Sequence, residues 1–432
     1  LMSRYYLFKS KKLILLAFLD VNIFIISHAL FKTNFHYLQI FVWLLISYII
    51  GRYHLKHVSK LRYLIYSISL LLISKILFIF IIFFLNIYFK EIFYDFNLFY
   101  PKIFTYTFLS VSFINLINLF DLNFKEKKNF LFLGSKKSFD ELTRFYNLTK
   151  NYDKIKYLDS FDQILTPYFS SKKNIVIYED NFLTADDLFY LRSNSNIKFL
   201  DILVFQEKYL YSIKPEFLKK YLKSKSKNHN HFILAIQLKI KRFFDIFVSL
   251  ILILVTSLII LFCSILIIIE DGMPFLFTQK RTGENLDLFD IYKLRTMKKD
   301  SEKNGPQWSK ANDSRITKVG RFIRLTRIDE LPQLFLVLRG KMSLIGPRPE
   351  RPEIDKTIIE KIPNFNYRYK IKPGLSGWAQ VNYPYGASIN DSYIKLSYDL
   401  YYITNFSILL DLIIFLKTLK MVITLKGAIA NK

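Results

Sequence analysis

Residues 243–269 form an apolar run interrupted by a single charged residue, Asp245. A helix needs about 20 such residues to cross a bilayer, so this stretch is long enough to span. Four apolar segments come earlier, at residues 13–31, 37–50, 64–88 and 103–120, and the second is short for a span. Asp20 and Lys75 interrupt the first and third, and charges at that depth usually face the interior of a bundle. Short loops set the orientation. Arg4, Lys9, Lys11 and Lys12 precede the first segment, and Arg52, Lys56, Lys60 and Arg62 separate the second from the third. Lys125, Lys127 and Lys128 follow the fourth, whereas the two remaining loops are poorer in positive charge. Both ends of this region, residues 1–125, are therefore expected in the cytoplasm. The first run lacks a small-residue cleavage site, which argues against a cleaved signal.

The 432 residues suggest roughly two to four structural units. With 52% hydrophobic residues and only 12 Gly and 12 Pro, the chain is neither disordered nor fibrous. Its one cysteine, Cys263, lies inside the long apolar run, which excludes a disulfide framework and suits a small buried hydrophobe. A net charge of +27 fits nucleic acid, anionic lipid or phosphorylated substrates. No nucleic-acid module is visible, so the lipid bilayer is the expected partner and nucleic acid is not.

Over residues 126–231 the pattern changes to soluble α/β. Strands are expected at 129–134, 155–158, 174–178 and 197–205, with helices at 139–148 and 184–193. Such alternation argues for a small parallel sheet, a Rossmann-like unit. Only Gly134 stands where a dinucleotide loop would have three glycines. The unit is expected to serve structure or homo-oligomer formation rather than nucleotide binding, and to be dispensable for chemistry. Residues 219–231 read as a polar linker.

Lys241 and Arg242 precede the long run, and Asp245 follows one helical turn later, where i,i+3 and i,i+4 contacts pair charges at a membrane interface. A crossing would put the basic region after the run outside the cell, away from nucleotide-activated substrates. A segment that enters and returns, residues 232–270, keeps both flanks cytoplasmic.

Past that segment an acidic pair, Asp329-Glu330, sits among Lys318, Arg321, Arg324, Arg327, Arg339 and Arg348. Two carboxylates ringed by cations suit chemistry on a phosphate. Read alone, Asp329 is equally a helix N-cap with Glu330 and Pro332 in the first turn. A helix start also favours anions, so the two readings are compatible. The motifs around the pair run Gln279-Lys-Arg281-Thr-Gly283, Tyr292-Lys293-Leu-Arg295-Thr-Met297 and Asp313-Ser-Arg315. They continue as Gly346-Pro-Arg348-Pro-Glu350, Lys372-Pro-Gly374-Leu-Ser-Gly377-Trp378 and Tyr398-Asp399-Leu-Tyr-Tyr402.

This string resembles the bacterial sugar transferases, the monotopic polyprenyl-phosphate phosphoglycosyl transferases, from about residue 239 to the C-terminus. The upstream regions resemble the larger members that initiate exopolysaccharide or O-antigen synthesis. The resemblance implies a membrane α-helical bundle of four transmembrane helices plus α/β, followed by a helix-rich catalytic domain over 271–432 behind the re-entrant helix. It implies transfer of a sugar 1-phosphate from a UDP-sugar to polyprenyl (undecaprenyl) phosphate with release of UMP, at the inner (cytoplasmic) membrane of a bacterium. Asp329 would be the nucleophile, forming an aspartyl-phosphosugar intermediate, and Glu330 would assist, with Mg2+ at the pair. Arg324 and Arg348 would bind substrate phosphates, Lys293 and Arg295 would do likewise, and Asp399 matches a carboxylate used near the active site. Gly374, Gly377 and Trp378 are expected to build a turn and its packing. In that family the re-entrant helix usually breaks at a Ser-Pro pair, whereas here Ser257 precedes Leu258. Proline would remove a donor and kink the helix; Thr256 and Ser257 can only back-bond to carbonyls. Two rivals remain: a membrane glycosyl transferase that releases UDP, and a non-catalytic scaffold for glycan assembly. The sugar is not legible in the sequence.

Overall fold

The structure is a computed structural model. It describes residues 37–50, 129–149, 155–158, 174–179, 197–225, 231–299, 313–383 and 388–425, with isolated positions elsewhere. The chain divides into two compact units, residues 1–127 and 128–432. In the first, helix α1 (Tyr37–Ile50) matches the second expected apolar segment, and Val42, Trp43 and Ile46 on it are buried. The other three expected transmembrane helices lie almost wholly outside the described residues.

The second unit opens with strands β1 (Asn129–Leu133), β2 (Ile155–Leu158), β3 (Asn174–Tyr178) and β4 (Lys198–Asp201). They form one parallel sheet in the order β2-β1-β3-β4, with Phe130 opposite Ile155 on one side and Ile175 on the other. Phe130, Leu131, Phe132 and Leu133 are all buried, as a strand covered on both faces requires. Helix α2 (Lys136–Thr149) follows β1. At its start the Glu179 carboxylate accepts from Ser135 N (3.0 Å) and Ser138 Oγ (2.8 Å). A carboxylate of the chain itself thus occupies the spot where a helix N-terminus would hold a phosphate.

Two expectations change here. The strand expected to reach residue 205 stops at Asp201, whose side chain accepts from Leu203 N at 2.6 Å and starts helix α3 (Ile202–Phe205). The expected linker begins with a helix, α4 (Leu218–Lys225), because Leu218 and Tyr221, one turn apart, are both buried. Between α3 and α4 the chain straps itself to the region beyond the long apolar run. Tyr211 O accepts from Trp378 Nε1 at 3.0 Å, Ile213 N donates to Ser397 O at 2.9 Å, and Pro215 O accepts from Asn364 Nδ2 at 2.7 Å.

Helix α5 (His231–Asp271) is α-helical throughout and, among the described residues, is the one helix long and apolar enough to cross a membrane. Thr256 Oγ1 and Ser257 Oγ bond back to Leu252 O and Leu254 O. The expected pairing of Lys241 and Arg242 with Asp245 is not made, because each has a stronger partner in the region beyond the helix. Lys241 Nζ meets Asp411 Oδ2 and Ile345 O, both at 2.8 Å. Arg242 donates to Val337 O (2.7 Å) and Leu338 O (2.8 Å), carbonyls in the last turn of helix α7 (Leu334–Leu338). Asp245 accepts from Leu344 N at 3.0 Å and Ser343 Oγ at 3.1 Å.

After α5 come the antiparallel hairpin β5 (Leu276–Thr282) and β6 (Leu288–Leu294), then helix α6 (Lys318–Leu325). Strands β7 (Ser343–Ile345) and β8 (Gly374–Ser376) pair in parallel so closely that a Cβ on Gly374 would fall on the backbone of Gly346. Gly374 thus builds packing, as expected. Helices α8 (Pro352–Lys361), α9 (Trp378–Asn382), α10 (Ile389–Thr404) and α11 (Ile408–Ile423) complete a helix-rich domain. Its core includes the end of α5: Cys263 and Ile267 pack with Leu294 and Ile323.

Candidate active site

Helix α6 is capped at its start by two side chains. Thr317 Oγ1 accepts from Gly320 N (2.9 Å), and the Glu270 carboxylate at the end of α5 accepts from Lys318 N at 2.8 Å. Gly320 lies against the backbone of Thr296, just past β6, so closely that a Cβ there would overlap the Thr296 carbonyl. Arg324 on the same helix donates from Nε to Thr296 Oγ1 at 2.7 Å. Arg327 then adopts a left-handed backbone (φ 58°), which turns the chain into a 3-10 segment, Ile328–Gln333. The cap of that segment is Arg327. The reading of Asp329 as an N-cap therefore fails, and both acids fall inside the first turn.

The two carboxylates have different surroundings. Glu330 Oε1 meets Lys293 Nζ at 3.2 Å and Arg348 Nη2 at 2.7 Å. Burial pushes Glu330 up, but Arg348 and then Lys293 outweigh it and hold its carboxyl well below the usual range. Asp329, 9% exposed, accepts no hydrogen bond from the described residues. Burial first, and then the neighbouring Glu330 charge, push Asp329 up to about 6, although Lys293, Arg324 and Arg348 pull the other way. Burial also pulls Lys293 down, whereas Glu330 raises Arg348. One acid is therefore locked between cations and the other is left open toward them.

The fold gathers Asp329, Glu330, Lys293 and Arg348, with Arg324 close enough to act on the Asp329 charge. It does not gather Arg295 or Asp399. Arg295, 7% exposed, donates from Nη2 to Gly272 O (2.6 Å) and Asp271 O (2.9 Å) and lies 3.2 Å from the Asp271 carboxylate, holding the end of α5. Asp399, 2% exposed, is paired at 3.0 Å with Arg368, a residue no motif singled out. Burial pushes Asp399 up to about 6 despite that partner. Arg281 stood in a motif without an assigned role, and Arg368 in none; each donates to a backbone carbonyl distant in sequence, at Pro349 and Arg348, which no spacing reports.

A family model described as bacterial sugar transferase matches residues 236–425. The chain is 46% identical over 189 residues to the UDP-N-acetylgalactosamine-undecaprenyl-phosphate N-acetylgalactosaminephosphotransferase of Aeromonas hydrophila, covering 44% of this chain and 45% of that protein. It is 50% identical over 131 residues to a Bacillus subtilis protein provisionally named an undecaprenyl-phosphate N-acetylgalactosaminyl 1-phosphate transferase, covering 30% of this chain and 73% of that one. It is 38% identical over 192 residues to the UDP-glucose:undecaprenyl-phosphate glucose-1-phosphate transferase of Caulobacter vibrioides, covering 44% of this chain and 71% of that one. The chain thus spans less than half the length of the Aeromonas relative. All three matches are too long to rest on the acid pair alone.

Proposed function

The chain belongs to the bacterial sugar transferase family, and on that premise we propose that it transfers a sugar 1-phosphate from a UDP-sugar to undecaprenyl phosphate, releasing UMP. The observation that carries this reading is the unequal acid pair. Glu330 is committed to Lys293 and Arg348, while Asp329 has no hydrogen bond among the described residues and faces the same cations. A carboxylate left open beside fixed positive charge can attack a phosphorus atom. An Asp329 oxygen would bond to the β-phosphorus as its bond to the bridging oxygen breaks and UMP leaves with that electron pair. The acyl phosphate would then yield the sugar phosphate to an oxygen of undecaprenyl phosphate and restore the carboxylate. Arg348 and Arg324 would hold the transferring phosphate, as planar forks suited to phosphate oxygens. Lys293 would keep Glu330 ionised and in place.

Magnesium takes oxygen ligands, usually one or two carboxylates together with substrate phosphates. Asp329 and the Glu330 Oε2 atom, whose contact with Arg348 Nη1 is a long 3.5 Å, fit that donor set. When bound, the ion would supply charge neutralisation on the departing nucleotide.

Both ends of the apolar run pack on one domain: Lys241, Arg242 and Asp245 at its start, Cys263, Ile267 and Glu270 at its end. A straight crossing would carry these ends about 37 Å apart, on opposite faces of the bilayer. The contacts support a catalytic region seated on one face, the cytoplasmic one where UDP-sugars are made. The names of the relatives make UDP-N-acetylgalactosamine the first donor to test, ahead of UDP-glucose. Purified protein with undecaprenyl phosphate should release UMP from one of them. Release of UDP instead would favour a glycosyl transferase, and release of neither a scaffold.

A further inference from the structure

Pro347 and Pro349 have no backbone N–H, so the turn that carries Arg348 is short of donors with which to fix itself. It is held by its acceptors. Four successive carbonyls, those of Pro347, Arg348, Pro349 and Glu350, accept from Gly374 N (2.9 Å), Arg368 Nη2 (2.7 Å), Arg281 Nη1 (3.2 Å) and Thr282 N (3.0 Å). Two of these four donors are guanidinium groups, and Arg368 is the more deeply buried.

Arg368 is 5% exposed, and its Nη2 bridges Arg348 O and Asp399 Oδ2. Its Nη1 lies 4.0 Å from Glu350 Oε1, and its Cζ lies over the rings of Phe365 and Tyr369, at 5.0 and 5.8 Å. A guanidinium keeps its charge and fixes its donors in one plane, so one buried group can hold a carboxylate and a carbonyl at a set angle. A charge buried this far requires a partner, and Asp399 supplies it. Neither side chain is open to a substrate.

We infer that Arg368 is a positioning residue for the transfer: seated on Asp399, it fixes the backbone of Arg348 and so the reach of the Arg348 guanidinium toward Glu330 and the phosphate. This inference rests on the role of Arg348 proposed above. The buried pair would act on the reaction through one carbonyl without touching substrate.

The test uses the full chain and the UMP-release assay with undecaprenyl phosphate, taking whichever of UDP-N-acetylgalactosamine, UDP-glucose and UDP-galactose is turned over best. Removing Arg368 alone would strand the Asp399 charge, so the main variant is the pair Arg368→Gln with Asp399→Asn, and Arg368→Lys is made beside it. Thermal midpoints are measured throughout. The pair should fold and lose about a hundredfold in kcat, the scale set by displacing a group by an ångström, with a smaller change in KM. Arg368→Lys, which keeps the charge and loses the fork, should recover the midpoint and not kcat. With Arg348→Ala already in place, the same pair should change kcat by no more than roughly twofold, because the route is gone. Wild-type kcat in either the pair or Arg368→Lys overturns the inference, as do losses that multiply in the Arg348→Ala background. If the pair does not fold, Arg368→Lys alone decides. Arg348→Ala turning over at the wild-type rate would instead remove the proposed role of Arg348 and this one with it. A wild-type chain that turns over none of the donors removes the reaction and the positioning role together.

Discussion

At the scale of single residues, the acid pair separates into Glu330, held between cations, and Asp329, the proposed nucleophile. Glu330→Gln should leave Lys293 and Arg348 without their shared counter-charge and cost roughly 2–3 kcal/mol, discounted because Arg348 is partly exposed. Asp329→Asn breaks no hydrogen bond to a described residue and should leave stability nearly unchanged, yet abolish UMP release. Thermal unfolding measured beside the assay checks this contrast, and equal destabilisation by both changes would contradict it. Gly320→Ala is a second case. Its Cβ would press on the Thr296 carbonyl and push α6, with Arg324, off the end of β6. Overpacking of this kind costs about 1–3 kcal/mol, visible as a lowered unfolding midpoint. The acids, Lys293 and Arg348 were legible because their chemistry shows in residue type and in nearby motifs. Arg295 and Asp399 misled for one reason: each finds its partner across the fold, at Asp271 and Arg368, and no spacing reports such a pairing.

Among the elements, the long apolar helix α5 is stitched to the domain that follows it from both sides of its apolar run. Glu270 caps α6 through Lys318 N and Val319 N. Glu270→Ala should cost about 1 kcal/mol, as lost caps do, and loosen the helix that carries Arg324. Hydrogen exchange at the first turn of α6 would report it, and unchanged protection there would argue that the cap is idle. The strands at 129–133, 155–158 and 174–178 were readable as short apolar runs, and they pair in parallel as expected. The elements after Asp201 were harder. A side-chain cap, not a change of periodicity, ends β4, and α4 hides two buried residues in a lysine-rich stretch. The continuous helicity of α5 past Ser257 likewise follows from the absence of a proline there.

Across the whole second unit, the segment joining α3 to α4 ties the α/β sheet to the domain that holds the site. Tyr211 lies edge-on to both Trp378 and Tyr401, and the Trp378 indole N–H has the Tyr211 carbonyl as acceptor. A chain begun at Lys239 loses this acceptor and uncovers Trp378, whereas one begun at Gln206 keeps both. The shorter chain should unfold at lower temperature and aggregate more readily in detergent, and equal midpoints would show that the strap is passive. The two flanks of α5 offer a further check. With Cys263 replaced, cysteines placed at the exposed positions Lys239 and Asp287 should react alike with an impermeant reagent, in inverted vesicles and not in intact cells. Labelling of the two from opposite sides would mean that the helix crosses. The covalent chemistry itself is tested most directly by mass spectrometry of the enzyme incubated with UDP-sugar and no lipid acceptor. The expected result is one equivalent of UMP per enzyme and a sugar phosphate on the peptide containing Asp329, discharged when undecaprenyl phosphate is added. UMP formed only in the presence of the lipid, with no adduct on that peptide, would contradict it.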